Sequence, residues 1–204
     1  MFSTFLQAKS MVNSENESEL VESLRLAVSN EDADGLERQT YDLESQLMET
    51  GYFPANLFHE LLPIFTLPEF LAMEGSFVLV RLFAYNFSYL TEEQQNELLE
   101  SLEKSYASFT DFTSCLLIAE MIGESYGGER GLQTLRRLKR SKEDMPRSMV
   151  PHGLEYFVKK SSDPQLARLA FNELLQMKSD PSQDVRDEVG TSLQQLKKYG
   201  WSEA

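Results

Sequence analysis

The sequence predicts an all-α fold: a short stack of about ten helices in antiparallel pairs, with a compact helical bundle as the alternative. Three observations lead there. Apolar residues recur at three- and four-residue spacing along most of the chain, as in Leu20, Leu24, Ala27 and Val28, or Leu36, Leu43 and Leu47. Proline, glycine and helix-capping signals interrupt this pattern roughly every twenty residues, which makes pairs of about forty. No run alternates as a strand would, and no Asn-Gly or Asp-Gly turn is flanked by alternating apolar residues. A single pair cannot bury its apolar stripes alone, so neighbours must stack and leave an extended surface free for a partner.

Residues 1–16 read as a loose lead-in, residues 17–200 as one helical-repeat domain, and residues 201–204 as a short tail. The first helix covers Ser18 to Asn30. The second covers Ala33 to Thr50 and ends at Gly51, the place a left-handed cap wants. Pro54 opens a third, with Leu57, Phe58, Leu61 and Leu62 inward. Pro68 opens a fourth that is apolar nearly all round and so belongs in the middle of the stack. Thr91 and Gln94 make a capping box for the fifth, with Leu98, Leu102 and Tyr106 on its buried side and Glu93, Glu97 and Glu100 on its charged one. Asp111 to Tyr126 is the sixth. Gly127 and Gly128 terminate it, because no phosphate-loop spacing surrounds them. The seventh places Leu132, Leu135 and Leu138 beside Arg136, Arg137, Lys139 and Arg140, and Met145-Pro146 leads to the eighth. Asp163-Pro164 and Asp180-Pro181 introduce the last two.

Those last two helices repeat one pattern. Leu166, Ala170 and Leu174 recur 19 positions later as Val185, Val189 and Leu193. Each set follows an Asp-Pro step, in which the proline fits a first helical turn and the aspartate can cap its free N–H groups. The run DPSQDVRDEVGTSLQQL, and more loosely SSDPQLARLAFNELLQM, resembles the HEAT-type helical repeat. The places are held by Asp180, Pro181, Val185, Arg186, Val189, Leu193 and Leu196, and in the poorer copy by Asp163, Pro164, Leu166, Arg168, Ala170 and Leu174. Val189 stands where such repeats usually carry a small alanine, and the copies lie closer together than one two-helix unit allows. The resemblance implies a right-handed α-solenoid of HEAT-like pairs and says nothing of substrate.

Charge narrows the function. The chain carries −14 overall; residues 1–129 hold 23 acidic against 5 basic residues, a balance of −18, and residues 130–204 hold 10 against 14, a balance of +4. Such acidity repels phosphate backbones, so direct nucleic-acid binding is not expected, and the basic concave surface of helical-repeat DNA glycosylases is missing. A basic protein would be attracted instead. The basic cluster at Arg130, Arg136, Arg137, Lys139, Arg140, Lys142 and Arg147 reads as a solvated helix face that balances the acidic remainder. The N-terminus shows no basic leader followed by an apolar run, and Pro63, Pro68, Glu69, Glu74 and Arg81 interrupt the most apolar region. No membrane span and a cytoplasmic location are expected.

Chemical groups are sparse. Cys115 is the only cysteine and sits in an apolar helical pattern, where a buried inert thiol is the expected state. His59 and His152 are the only histidines and share no metal-ligand spacing. His152 follows Pro151 and reads as a capping or turn residue at a helix start. Trp201 reads as packing over the last helix. No catalytic residue, cofactor or metal is expected, and nothing in the pattern selects an oligomeric state.

Together these features predict a non-enzymatic protein-binding module. Its character is similar to the helical immunity proteins of bacterial polymorphic toxin systems, which implies neutralisation of a basic toxin by direct binding. An adaptor or regulatory scaffold that holds a peptide or complex subunit in its groove is the alternative. If the second helix of each pair lines the binding surface, that face comprises Glu37, Tyr41, Glu44, Glu74, Tyr85, Tyr89, Glu120, Glu124 and Tyr126, where carboxylates meet cations and tyrosines supply rigid contact area.

Overall fold

The computed structural model describes residues 19–125 and 128–202, and among these residues there are eleven α-helices and no strand. Helix α1 covers residues 19–29. It is followed by α2 (Ala33–Thr50), α3 (Ala55–Leu61), α4 (Pro68–Ala72), α5 (Phe77–Tyr85) and α6 (Glu92–Ser105). The chain then forms α7 (Phe112–Ser125), α8 (Glu129–Leu138), α9 (Asp144–Lys160), α10 (Pro164–Gln176) and α11 (Gln183–Lys198).

Local chemistry sets most of these boundaries. Asp32 accepts a hydrogen bond from the Gly35 amide at the start of α2, and Gly51 ends that helix with φ 71°. Thr91 and Gln94 exchange both bonds of the capping box. Asp111 caps α7 through Ser114 N–H at 2.9 Å and also takes the Gly75 N–H at 3.0 Å. Asp163 caps α10 through the amides of Gln165 and Leu166.

Three expectations are corrected here. The apolar stretch after Pro68 is two helices, because Gly75 turns the chain at φ 94° between α4 and α5. Gly128 opens α8 as its N-cap; Gly127 lies outside the described residues, as do the lead-in and residues 203–204. Asp180 does not cap α11. Ser182 holds that position, and Asp180 instead accepts from the Ser182 amide and from Arg147. The two Asp-Pro segments lead into α10 and α11, the last two helices, as expected.

The packing order is simple. Helix α2 packs on α5, α5 on α7, α7 on α9 and α9 on α11, which makes one row of alternate helices. The 3-10 turn Leu62–Thr66 that continues α3 packs on α6, α6 on α8 and α8 on α10, which makes a second row. Between the rows lies a continuous apolar core. Its N-terminal part is aromatic: Phe83 packs against Phe53, Phe58 and Phe65, and Phe70 bridges Phe65 to Phe109. Trp201 folds back onto Phe171 of α10, with ring centroids 5.2 Å apart.

The tightest seam joins α7 to α9. A Cβ added at Gly123 would lie 2.0 Å from the Gly153 carbonyl oxygen, and one at Gly153 would lie 2.5 Å from that of Ala119. Glycine at both positions lets the two backbones touch. Pro151 stands inside α9 rather than at its start, so His152 projects from the middle of a helix and has no capping role. Tyr106, fully buried, donates to the Pro146 carbonyl at 2.8 Å and so fixes the first turns of α9.

Candidate protein-binding face

The solvent side of the first row carries one stripe of side chains per helix. Ala33, Glu37, Tyr41, Glu44 and Met48 follow each other at three- or four-residue steps along α2. Phe77, Arg81, and the adjacent Ala84 and Tyr85 make the corresponding stripe on α5, and Thr113, the adjacent Leu116 and Leu117, Glu120 and Glu124 that on α7. Ala33, Phe77 and Thr113, the first members of these three stripes, line one depression of roughly 610 Å³ together with Glu74, Asp111 and Phe112. The three helices therefore start at the same edge and run parallel, and their stripes lie side by side on one face. At the opposite edge the Phe53 amide donates to the Tyr89 carbonyl, which gathers Tyr52, Tyr85 and Tyr89 at the ends of α2 and α5.

The face changes character along the row. Between residues 19 and 93 there are fourteen carboxylates against three arginines, and none of those carboxylates forms an ion pair among the described residues. Tyr41 and Tyr85 stand out of this surface, 66% and 68% exposed, with Met48 and Tyr52 similarly bare. Leaving large apolar surface and like charges together in water opposes stability, and both are relieved when a cationic surface covers them.

Toward α9 and α11 the charges are spent within the chain. Lys160 reaches Glu124 at 2.8 Å, and His152 Nε2 lies 2.9 Å from Glu188. Lys159 donates to Glu155 at 2.9 Å and lies 4.4 Å from the Tyr156 ring centre and 5.4 Å from that of Tyr199. Burial pushes the Glu120 carboxyl above its ordinary value; the Glu155 and Glu124 charges add to this, and His152 opposes it. Burial lowers Lys159, but the hydrogen bond and charge of Glu155 outweigh it and raise the group.

Ion pairs also join helices of the second row. Arg130 meets Glu100, Arg137 meets Glu103, and Arg136 and Lys139 both meet Glu173. Arg130, Arg136, Arg137 and Lys139 of the basic cluster are thus cross-helix ties, while Arg140 and Lys142 stand exposed as a solvated face would. Arg147, 9% exposed at its side chain, bridges Asp144 and Asp180 and donates to the Ser141 carbonyl at 2.7 Å.

Of the residues expected at the binding face, Glu37, Tyr41, Glu44 and Tyr85 lie together on α2 and α5. Glu74 stands at the rim of the depression, and Tyr89 is half-buried at the far edge. Glu124 lies on the same face but is paired with Lys160, and Glu120 lies there beside His152 and Lys159 of α9. Tyr126 lies outside the described residues. Sequence reasoning missed Met48 and Tyr52; Met48 lies seven residues after Tyr41 and continues its stripe. Cys115 is buried, with its thiol pushed up to about 12 by burial and by the nearby Asp111 charge. Among the described residues no group of three His, Cys, Asp or Glu side chains is arranged to hold a metal ion. None of the described helices is long and apolar enough to cross a membrane. Comparisons with family models, with curated proteins and with solved structures find no match to this chain.

Proposed function

We propose that the chain is a short HEAT-like α-solenoid that acts as a non-catalytic binding module, holding a basic protein on the α2–α5 face. Two rows of alternate helices, each packed on its neighbours in chain order, support the solenoid reading. A single observation carries the binding reading: among the described residues, the fourteen carboxylates between residues 19 and 93 form no ion pair and share that part of the chain with bare tyrosines, while every carboxylate–cation pair lies farther along the chain. In its sharpest form the chain is an immunity-type protein, and the basic protein is a toxin whose working surface the acidic face covers.

The test is affinity capture with the full chain and with a Glu37→Lys, Glu44→Lys, Glu74→Lys variant. A basic protein retained at low salt, released at roughly a few hundred millimolar salt and absent from the variant supports the reading. Loss of that protein's own activity when one equivalent of the chain is added supports neutralisation. Equal capture by both chains contradicts the face.

The partly exposed Phe77, Ala84, Leu116 and Leu117 favour a second reading, an adaptor whose groove holds an apolar segment. Binding that persists at high salt would select it.

A further inference from the structure

The middle of the face carries chemistry that charge attraction alone does not use. Phe77 and Ala84 on α5 and Leu116 and Leu117 on α7 pack against the core but keep an edge in solvent, and Tyr85 stands free beside them. They form an apolar strip two helices wide, interrupted on α5 by Arg81. Its two sides differ: α2 offers Glu37 and Glu44, with Glu74 at the end, whereas on α9 Lys159 and Lys160 are already bound by Glu155 and Glu124.

We infer that the element seated on this strip is an amphipathic helix of the basic partner, apolar toward α5 and α7 and cationic toward α2. This rests on the proposed docking of a basic protein and adds the shape of what docks. An extended segment would find no strand edge to pair with here, because the strip is made of helices whose backbones are already bonded. A helix satisfies its own backbone and presents one apolar stripe at i, i+3, i+4 and i+7. The 14 residues of α7 span about 21 Å, so an occupant of about four turns matches. The charge asymmetry sets its roll: the cationic side faces Glu37 and Glu44 on α2 and turns away from Arg81 on α5.

The experiment uses two peptides of roughly sixteen residues with identical leucine and lysine content, one patterned as an amphipathic helix and one shuffled to break the stripe. Each is titrated into the full chain by calorimetry at low salt. The patterned peptide is expected to bind about tenfold more tightly than the shuffled one. Tyr85→Ser and Leu117→Ser, checked for native circular dichroism, should erase that difference between the two peptides; Tyr85 is exposed, so its variant stands even where the leucine variant fails to fold. Equal binding of both peptides overturns the helix inference and leaves the acidic docking face intact. Binding of neither overturns both.

Discussion

Gly123 and Gly153 bring α7 and α9 into backbone contact, and each would drive a new methyl group into a carbonyl that cannot yield. Gly153→Ala should therefore cost about 1–3 kcal/mol in urea unfolding. Gly190, in the interior of α11 with nothing within 4 Å of its virtual Cβ, is the matched control. Gly190→Ala should raise stability by about 0.5–1 kcal/mol, because only the backbone entropy changes. If the two substitutions behave alike, the seam is not close-packed.

Two carboxylates separate by the sign of their pH dependence. Burial pushes Glu173 up, yet hydrogen bonds from Lys139 and Arg136 outweigh it and hold the group below its ordinary 4.5. Its contribution is therefore present above pH 4.5 and disappears as the pH falls through the lower folded value. Glu173→Gln should destabilise the protein at pH 7 by about 1–2 kcal/mol and flatten the acid limb of the stability curve. Glu120 runs the other way. Its pKa is raised by folding, so it subtracts stability as the pH climbs above 4.5, and Glu120→Gln should raise the melting temperature at pH 7. A lower melting temperature for Glu120→Gln would contradict that sign.

At the scale of elements, caps and stripes were legible in the sequence, and interhelical geometry was not. Thr91 with Gln94, Asp163 before Pro164, and Gly51 after Thr50 act through bonds within a few residues, so local pattern suffices to place them. The break at Gly75 was hidden because the residues around it are apolar on both sides, and a buried helix looks the same as two short buried ones. His152 was misplaced because a proline usually marks a helix start; here Pro151 sits within α9, whose buried packing against α7 and Tyr106 holds it together.

Arg147 shows why the basic cluster misled: its meaning depends on Asp180, 33 residues away, and on a turn carbonyl. Removing its charge strands Asp180 at the α9–α11 junction. Arg147→Met should cost about 3–5 kcal/mol in denaturant unfolding. A loss within the range of exposed surface pairs, about 0–1 kcal/mol, would show that the bridge is not buried in solution.

For the whole molecule, charge was the most informative property of the sequence, and the structure gives it a location. The excess of −18 over residues 1–129 could have been spread evenly or neutralised across helices. Instead ion pairs tie the C-terminal helices together, and the unpaired carboxylates run through α1, α2, α3, the α4–α5 turn and the start of α6. The expected face was legible as a set of residue types but not as a boundary: Glu120 and Glu124 share the surface with Glu37 and Glu44, yet their cationic neighbours come from α9. No pattern within α7 announces that.

The most direct measurement is the salt dependence of binding between the captured basic protein and two forms of this chain, wild type and the Glu37→Lys, Glu44→Lys, Glu74→Lys variant. Wild-type affinity should fall steeply as salt rises, and the variant should bind at least about a hundredfold more weakly at low salt with a shallower slope. Equal affinities and parallel slopes would place the partner elsewhere and contradict the account.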